Sequence, residues 1–506
     1  MFNQRIFRSQ STSRYPMNLL TMRIIGCTIF FTLLGCDTST TVSKTAITAK
    51  NPSTVTDKRI NNSQVNIASL TQLSIDMLKK RPYQANFTAL KELHNITTRN
   101  DYTKHFFSNA SPYYSAILGY QSDDLSLYSR IDIPSTPAPK NGFPVVIFVH
   151  GWVGLAKANG YDFSYNTQSN YAEVIHQFVQ AGFVVLTPGL RGHGTVNGVI
   201  ADGTEFIETW DNSSYTSPLF YSIDILNLLA GIESIKSMSW FHDSPLPPQL
   251  AINTDNVNIF GHSQGGDIVL TALAVAGENA TLKQRLNAGA IWAGCFLPRI
   301  EQLSLYGPMG SSTQAFLSGD GTWTASAIGK NGEINHNFLY PYPADWISTP
   351  DNSQDNWTWQ KVSWSTPTVK ITVDKKLQQM YQTFNSHVAD IKNASYHIKN
   401  DEHGRIYIVH DAKVLGFLSA MDAFKYPQYF SEKLALHHSD RDYYSPSLWN
   451  EKLSQQINQN GGSVVDYEYI GNTHSMKVSP HTWFSPEGTT SGFDQMMKRN
   501  ISLFSN

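Results

Sequence analysis

A serine hydroxyl attacks a carbonyl only when the backbone presents it away from its neighbours, near a base and near amide N–H groups. Residues 257–266, Val-Asn-Ile-Phe-Gly-His-Ser-Gln-Gly-Gly, carry the pattern for such a presentation. An apolar run meets Gly261-His262-Ser263-Gln264-Gly265, and a helix-like run from Asp267 to Ala274 follows. A sharp strand-to-helix turn would strain Ser263, which is tolerable only if the residues two before and two after lack bulk. Gly261 and Gly265 meet that demand, and Gly266 lets the helix pack closely on a sheet. A bare Gly-x-Ser-x-Gly match is common by chance. The strand and helix patterns on either side give this one weight.

A nucleophile on such a turn has its acid and then its histidine later in the chain, each after a further strand. Phe430 to His438 reads as a short strand entering the polar loop Ser439-Asp440-Arg441-Asp442-Tyr443-Tyr444-Ser445-Pro446, before a helical segment from Leu448 to Ile457. Ser463 to Ile470 alternates as a strand and leads into Gly471-Asn472-Thr473-His474-Ser475. The order Ser263, Asp442, His474 is therefore the expected one. Upstream, Pro144 to Val149 is a continuous apolar run, typical of a strand buried on both faces, and it ends in His150-Gly151-Trp152-Val153-Gly154. The N–H groups of Trp152 and Gln264 are the expected oxyanion donors, each worth ~10²–10³ in turnover.

From about Tyr114 to the C-terminus, apart from one large insertion, the chain resembles the α/β-hydrolase superfamily. Ser115 to Tyr120 and Leu125 to Ile133 resemble its first two strands; Phe183 to Pro188 resembles the fourth, with Gly189-Leu190-Arg191-Gly192-His193-Gly194 as the following loop. The resemblance implies an α/β fold with a mostly parallel central sheet, helices on both faces and a cap insertion between the sixth and seventh strands of the family. Residues 122–134 and 143–151 are similar to prolyl oligopeptidase-type catalytic domains and related esterases. Gly-His-Ser-Gln-Gly looks more like lipases and esterases, and no stretch reads as an N-terminal propeller.

The implied activity is that of a serine hydrolase cleaving a small-molecule ester through an acyl-enzyme, with a Ser263–Asp442–His474 triad and no metal or cofactor. Two alternatives stay open: a peptidase of the prolyl oligopeptidase type, and a non-catalytic surface protein that reuses the fold for binding. Asp440 is the rival acid; Asp442 is preferred because it sits four residues before Pro446, the spacing seen in similar hydrolases. His410 and His481 become candidate bases only if the last strand aligns differently. His150, Arg191, His193, His437 and His438 are expected to have structural roles. Cys295, after the strand-like run Ala288 to Gly294, is expected near the pocket as a small buried hydrophobe.

The chain has 506 residues, with Lys+Arg 38 against Asp+Glu 40, so it shows no basic footprint for nucleic acid. Ile24 to Leu34 is an apolar run behind Arg23, too short for a comfortable membrane span, and it ends in Leu33-Leu34-Gly35-Cys36. That box resembles the bacterial lipoprotein cleavage site. It implies a signal peptide over residues 1–35, acylation of Cys36, and anchoring of the enzyme to a lipid bilayer of the bacterial cell envelope. Met17 and Met22 are alternative starts. With Cys36 lipidated, Cys295 is left with no intrachain disulfide partner. Residues 36–68 read as a flexible tether and 69–295 as the first part of the hydrolase domain. That part opens with an N-terminal helical extension from Leu70 to about His94, broken at Pro82. Residues 296–425 read as a cap with helices at Lys375–Ile391 and Ala412–Phe424, and 426–506 as the second part of the domain. Trp323, Trp346, Trp357, Trp359 and Trp364 fill either the cap's own core or an aromatic floor of the pocket. Oligomeric state is not legible.

Overall fold

The computed structural model describes residues 65–93, 113–161, 170–211, 216–240, 250–296, 367–400, 406–440, 442, 445, 447–478 and 485–505. The expected signal peptide, Cys36, His481 and the five cap tryptophans lie outside the described residues.

Nine strands form one sheet: β1 (Phe87–Leu93), β2 (Tyr113–Ser122), β3 (Leu125–Pro134), β4 (Phe143–Val149), β5 (Val184–Pro188), β6 (Ile252–His262), β7 (Leu286–Trp292), β8 (Lys433–Ser439) and β9 (Ser463–Tyr469). Their order is β1-β2-β3-β5-β4-β6-β7-β8-β9. β1, β2 and β3 are antiparallel, as is the β3–β5 pair, while β5, β4, β6, β7, β8 and β9 run parallel. This is the mixed α/β architecture of the α/β-hydrolase fold, with one extra strand at the leading edge. Counting that edge strand, the insertion falls between β7 and β8.

The sheet is covered on both faces because its strands are apolar on both. In β4, Val145, Ile147 and Val149 join one core with α2 (Ser217–Gly231) and α3 (Gln264–Ala276). Val146 and Phe148 point into a second core with Phe260, Trp292, α1 (Asn170–Gln180) and α7 (Phe493–Phe504). Full burial of a side chain such as Phe260 stabilises the fold by roughly 1.5–3 kcal/mol. Helix α2 is apolar nearly all round and almost every residue is buried, so it is wedged between sheet and neighbours rather than lying on the surface.

The segment before the sheet differs from expectation. Leu70–Leu73 and Ile75–Leu78 are short helical turns capped by Ser69 and Ser74, but Phe87–Leu93 is a strand paired to β2, not helix. Apolar residues at Phe87 and Ala89 alternate with Thr88, and Pro82 ends the helical stretch. Pairing to the bare edge of β2 then outweighed local helix preference. Residues 65–68 also dock on the insertion: Ile67 pairs with Val388, and Ala389 N–H donates to Ile67 O at 2.9 Å.

Within the insertion, α4 (Pro367–His387) and α5 (Ala412–Ala420) match the two expected helices with shifted ends. Between them lies a hairpin, Tyr396–Asn400 with Ile406–His410, that the sequence pattern did not suggest. Helix α6 (Ser447–Gln459) joins β8 to β9.

Candidate active site

Strand β6 ends at His262 and α3 begins at Gln264, so the whole reversal falls on Ser263. Its φ is 56° and ψ −123°, a region that costs a non-glycine residue of order 1–3 kcal/mol. Three backbone bonds hold it there: Ser263 N–H donates to Trp292 O at 3.0 Å, while its carbonyl accepts from Gly266 N–H at 2.8 Å and Cys295 N–H at 3.0 Å. The neighbouring glycines are needed for contact rather than for conformation. A Cβ on Gly261 would collide with Gly265 O, one on Gly265 would lie 2.6 Å from His150 O, and one on Gly266 would lie 2.6 Å from Gly294 Cα.

The loop after β4 approaches this turn closely enough that a Cβ on Gly151 would sit 3.0 Å from Ser263 Cβ. Tyr171, on α1, secures the loop: its hydroxyl accepts the Gly151 N–H at 2.8 Å and lies 2.8 Å from His262 Nδ1. His262 Nε2 in turn lies 3.4 Å from the carbonyl oxygen of His474. That carbonyl can only accept, so the His262 proton sits on Nε2 and the Tyr171 hydroxyl donates to Nδ1. Burial drives the His262 pKa well below its ordinary value, with the nearby His474 adding to the effect. His262 thus stays neutral and, through Tyr171, links the loop after β4 to the loop that carries His474.

Of the two expected oxyanion donors, Gln264 opens α3, so its N–H has no acceptor within the helix. Among the described residues no acceptor takes the Trp152 backbone N–H either. Their side chains both reach Asp211.

The expected acid and base meet. His474 Nδ1 lies 2.6 Å from Asp442 Oδ2, and the Asp442 carboxyl is fully buried while the imidazole keeps about a quarter of its surface exposed. Ser445 N–H donates to the other carboxyl oxygen at 3.2 Å. The His474 ring stands 4.9 Å, centroid to centroid, from that of His262, the residue preceding Ser263. Its loop is fixed by Asn472, whose amide donates to Thr490 O at 3.1 Å and accepts the Gly492 N–H at 2.9 Å. The rival Asp440 faces elsewhere and accepts the Gly471 N–H at 2.6 Å.

The other singled-out residues have packing roles. His437 bonds Tyr469 Oη and Asn500 Oδ1 in the second core, and burial lowers its pKa to about 3. His438 Nε2 lies 2.9 Å from Asp466. His150 bonds Gly151 O through Nδ1 and packs in tilted contact with the rings of Tyr161 and His193; burial takes its pKa to about 3. His193 bonds Arg191 O at 2.9 Å, and Arg191 forms a buried ion pair with Asp224 at 2.6 Å. His410 bonds Tyr381 Oη in the insertion hairpin. Cys295 Sγ, half-buried, lies 3.7 Å from Ser263 Oγ, so it does border the site. Tyr171 and Asp211 were not anticipated, because neither belongs to a motif. Among the described residues no group of three or more His, Cys, Asp or Glu side chains converges as metal ligands would.

Trp152, Ser263, Cys295, Asp442 and His474 stand beyond the carboxyl ends of β4, β6, β7, β8 and β9. The chain leaves β4 for β5 on one side and returns to β6 on the other, which is the crevice where open α/β sheets bind ligands.

In sequence, no family model and no curated protein matches the chain. Among solved structures it is similar to the acylaminoacyl peptidase of Pyrococcus horikoshii, with 15% identity and a TM-score of 0.41 over 80% of this chain. The match covers 44% of the peptidase, so this chain spans less than half of that enzyme's length. It is also similar to acetyl xylan esterase 1 from Thermoanaerobacterium sp. JW/SL YS485, with 12% identity and TM-score 0.38, covering 87% of this chain and 96% of that one. Est1E from Butyrivibrio proteoclasticus, solved with ferulic acid bound, has 13% identity and TM-score 0.36 over 76% of this chain and 98% of its own. Likeness at this level speaks to neither activity nor substrate.

Proposed function

We propose that this chain is a serine hydrolase that cleaves carboxylic esters through an acyl-enzyme intermediate. The observation that carries the reading is the 2.6 Å bond between His474 Nδ1 and buried Asp442, formed beside the strained turn at Ser263. With Nδ1–H given to Asp442, the neutral ring keeps its lone pair on Nε2. Nε2 takes the Ser263 proton as Oγ attacks the ester carbonyl, and Asp442 stabilises the imidazolium. The Trp152 and Gln264 N–H groups receive the oxyanion, helped by the positive end of α3. His474 then protonates the leaving alcohol, and water attacks the acyl-enzyme by the same route.

The insertion is part of the proposal as a cap over this crevice, and acylation of Cys36 as the anchor that holds the enzyme in the cell envelope. The first rests on the place of the insertion between β7 and β8, the second on the Leu33-Leu34-Gly35-Cys36 box.

Amide bonds pass through the same intermediates, so the peptidase alternative is separated by substrate. With p-nitrophenyl esters and peptide p-nitroanilides assayed in parallel, esters should turn over faster. Ser263→Ala should lose ~10⁶ of that rate if the triad works as a unit. Wild-type turnover in Ser263→Ala refutes the mechanism, and preferential amide cleavage moves the assignment to the peptidase.

A further inference from the structure

Asp211 lies outside the triad yet touches both residues assigned as oxyanion donors. It ends the short helix Thr204–Trp210, and its N–H donates to Ile207 O at 3.1 Å. Its Oδ2 accepts the Trp152 indole N–H at 2.7 Å. Its Oδ1 accepts the Gln264 side-chain amide at 3.2 Å and the Ser217 hydroxyl at 2.8 Å. The loop after β4, the first turn of α3 and the first turn of α2 thus converge on one half-buried carboxylate.

Trp152 is 63% exposed, so packing contributes little to holding its side chain. Its ring borders Gly154, where a Cβ would lie 2.9 Å away, and its indole N–H is fixed by Asp211. Hydrogen bonds to a charged acceptor are the stronger kind, and this one ties an exposed ring to the half-buried Asp211 carboxylate. Both carboxylate oxygens already have donors, which leaves the charge poorly placed to capture a substrate cation. Burial raises the Asp211 carboxyl above its usual range, while the bonds from Ser217, Trp152 and Gln264 draw it back.

We propose that Asp211 is a positioning residue that sets the oxyanion site, by holding the side chains of Trp152 and Gln264 so that their backbone N–H groups keep a fixed separation. This rests on the hydrolase reading above. A misplacement of about 1 Å in a catalytic group costs on the order of 10²-fold in rate. The oxyanion contact exists only in the transition state, so its loss falls on kcat and not on KM.

The test uses the full chain and p-nitrophenyl butyrate, with thermal unfolding measured alongside. In Asp211→Asn the side-chain NH₂ must face one of the donors, and kcat should fall about 10–100-fold with KM within about 2-fold. Trp152→Phe keeps a ring but removes the indole N–H, and kcat should fall in the same direction by less. The double variant should be no slower than Asp211→Asn alone, because both changes release one clamp. Wild-type kcat in Asp211→Asn, a raised KM at unchanged kcat, or fully multiplicative effects would each overturn the proposal. If Asp211→Asn does not fold, wild-type kcat in the exposed Trp152→Phe variant overturns it. An inactive wild-type protein defeats the hydrolase reading itself, whereas an active one with an indifferent Asp211 defeats only this inference.

Discussion

Asp440 and Asp442 share a loop at the carboxyl end of β8, and each accepts from a different neighbour. Asp442 faces His474 Nδ1, whereas Asp440 takes the Gly471 N–H and so pins the start of the histidine loop. In Asp442→Asn the amide NH₂ placed at Nδ1 would favour the wrong tautomer, and kcat should drop by roughly 10³–10⁴. Asp440→Ala should instead lower stability by about 1 kcal/mol, the worth of one hydrogen bond. Steady-state kinetics and urea unfolding of both variants check the assignment; the opposite pattern would make Asp440 the acid. Sequence order led to this loop, but two acids two residues apart could be ranked only by distance from Pro446. Tyr171 and Asp211 were illegible for a physical reason: each acts through hydrogen bonds to residues far away in the chain, and such bonds impose no local pattern.

At the scale of elements, the turn between β6 and α3 is governed by how closely three backbones approach. The end of β4 passes so near Gly265 that a Cβ would meet Val149 O and lie 2.6 Å from His150 O. Both are backbone atoms, so relief requires the loop after β4 itself to move. Gly265→Ala should therefore destabilise by about 1–3 kcal/mol. Gly416, in α5, has open space beside it: among the described residues, no atom beyond its own helix backbone and chain neighbours lies within 4 Å of where a Cβ would stand. Gly416→Ala should stabilise by about 0.5–1 kcal/mol through helix propensity. Chemical unfolding of the pair reads both signs, and equal effects would remove the close-approach explanation. The strands of the parallel core were legible because burial on both faces leaves long apolar runs such as Val145 to Val149. The edge strand β1 was not, because an edge strand half open to solvent carries a weak pattern that a short amphipathic helix also fits. The insertion hairpin was equally hidden, since among the described residues its two strands pair with each other alone.

Across the whole molecule, neutral histidines are part of the stability. Burial lowers the pKa of His150 and His437 to about 3 and that of His193 to about 4. In the unfolded chain each titrates near 6.5. Between those limits the unfolded state binds more protons, so stability is full above about pH 6.5 and is lost as pH falls toward 4. The slope reaches up to about 1.4 kcal/mol per pH unit for each such group. The thermal midpoint should therefore fall steadily from pH 7 to pH 5, and a flat profile would contradict burial of these rings in neutral form. The same sheet that hides those histidines brings Ser263, Asp442 and His474 to one set of strand ends. Whether that arrangement activates the serine is read most directly by exposing the full chain to a fluorophosphonate and mapping the adduct by peptide mass spectrometry. One phosphonyl group should appear on Ser263, and His474→Ala should nearly abolish it. A protein that stays unlabelled, or carries the adduct on another residue, contradicts the account.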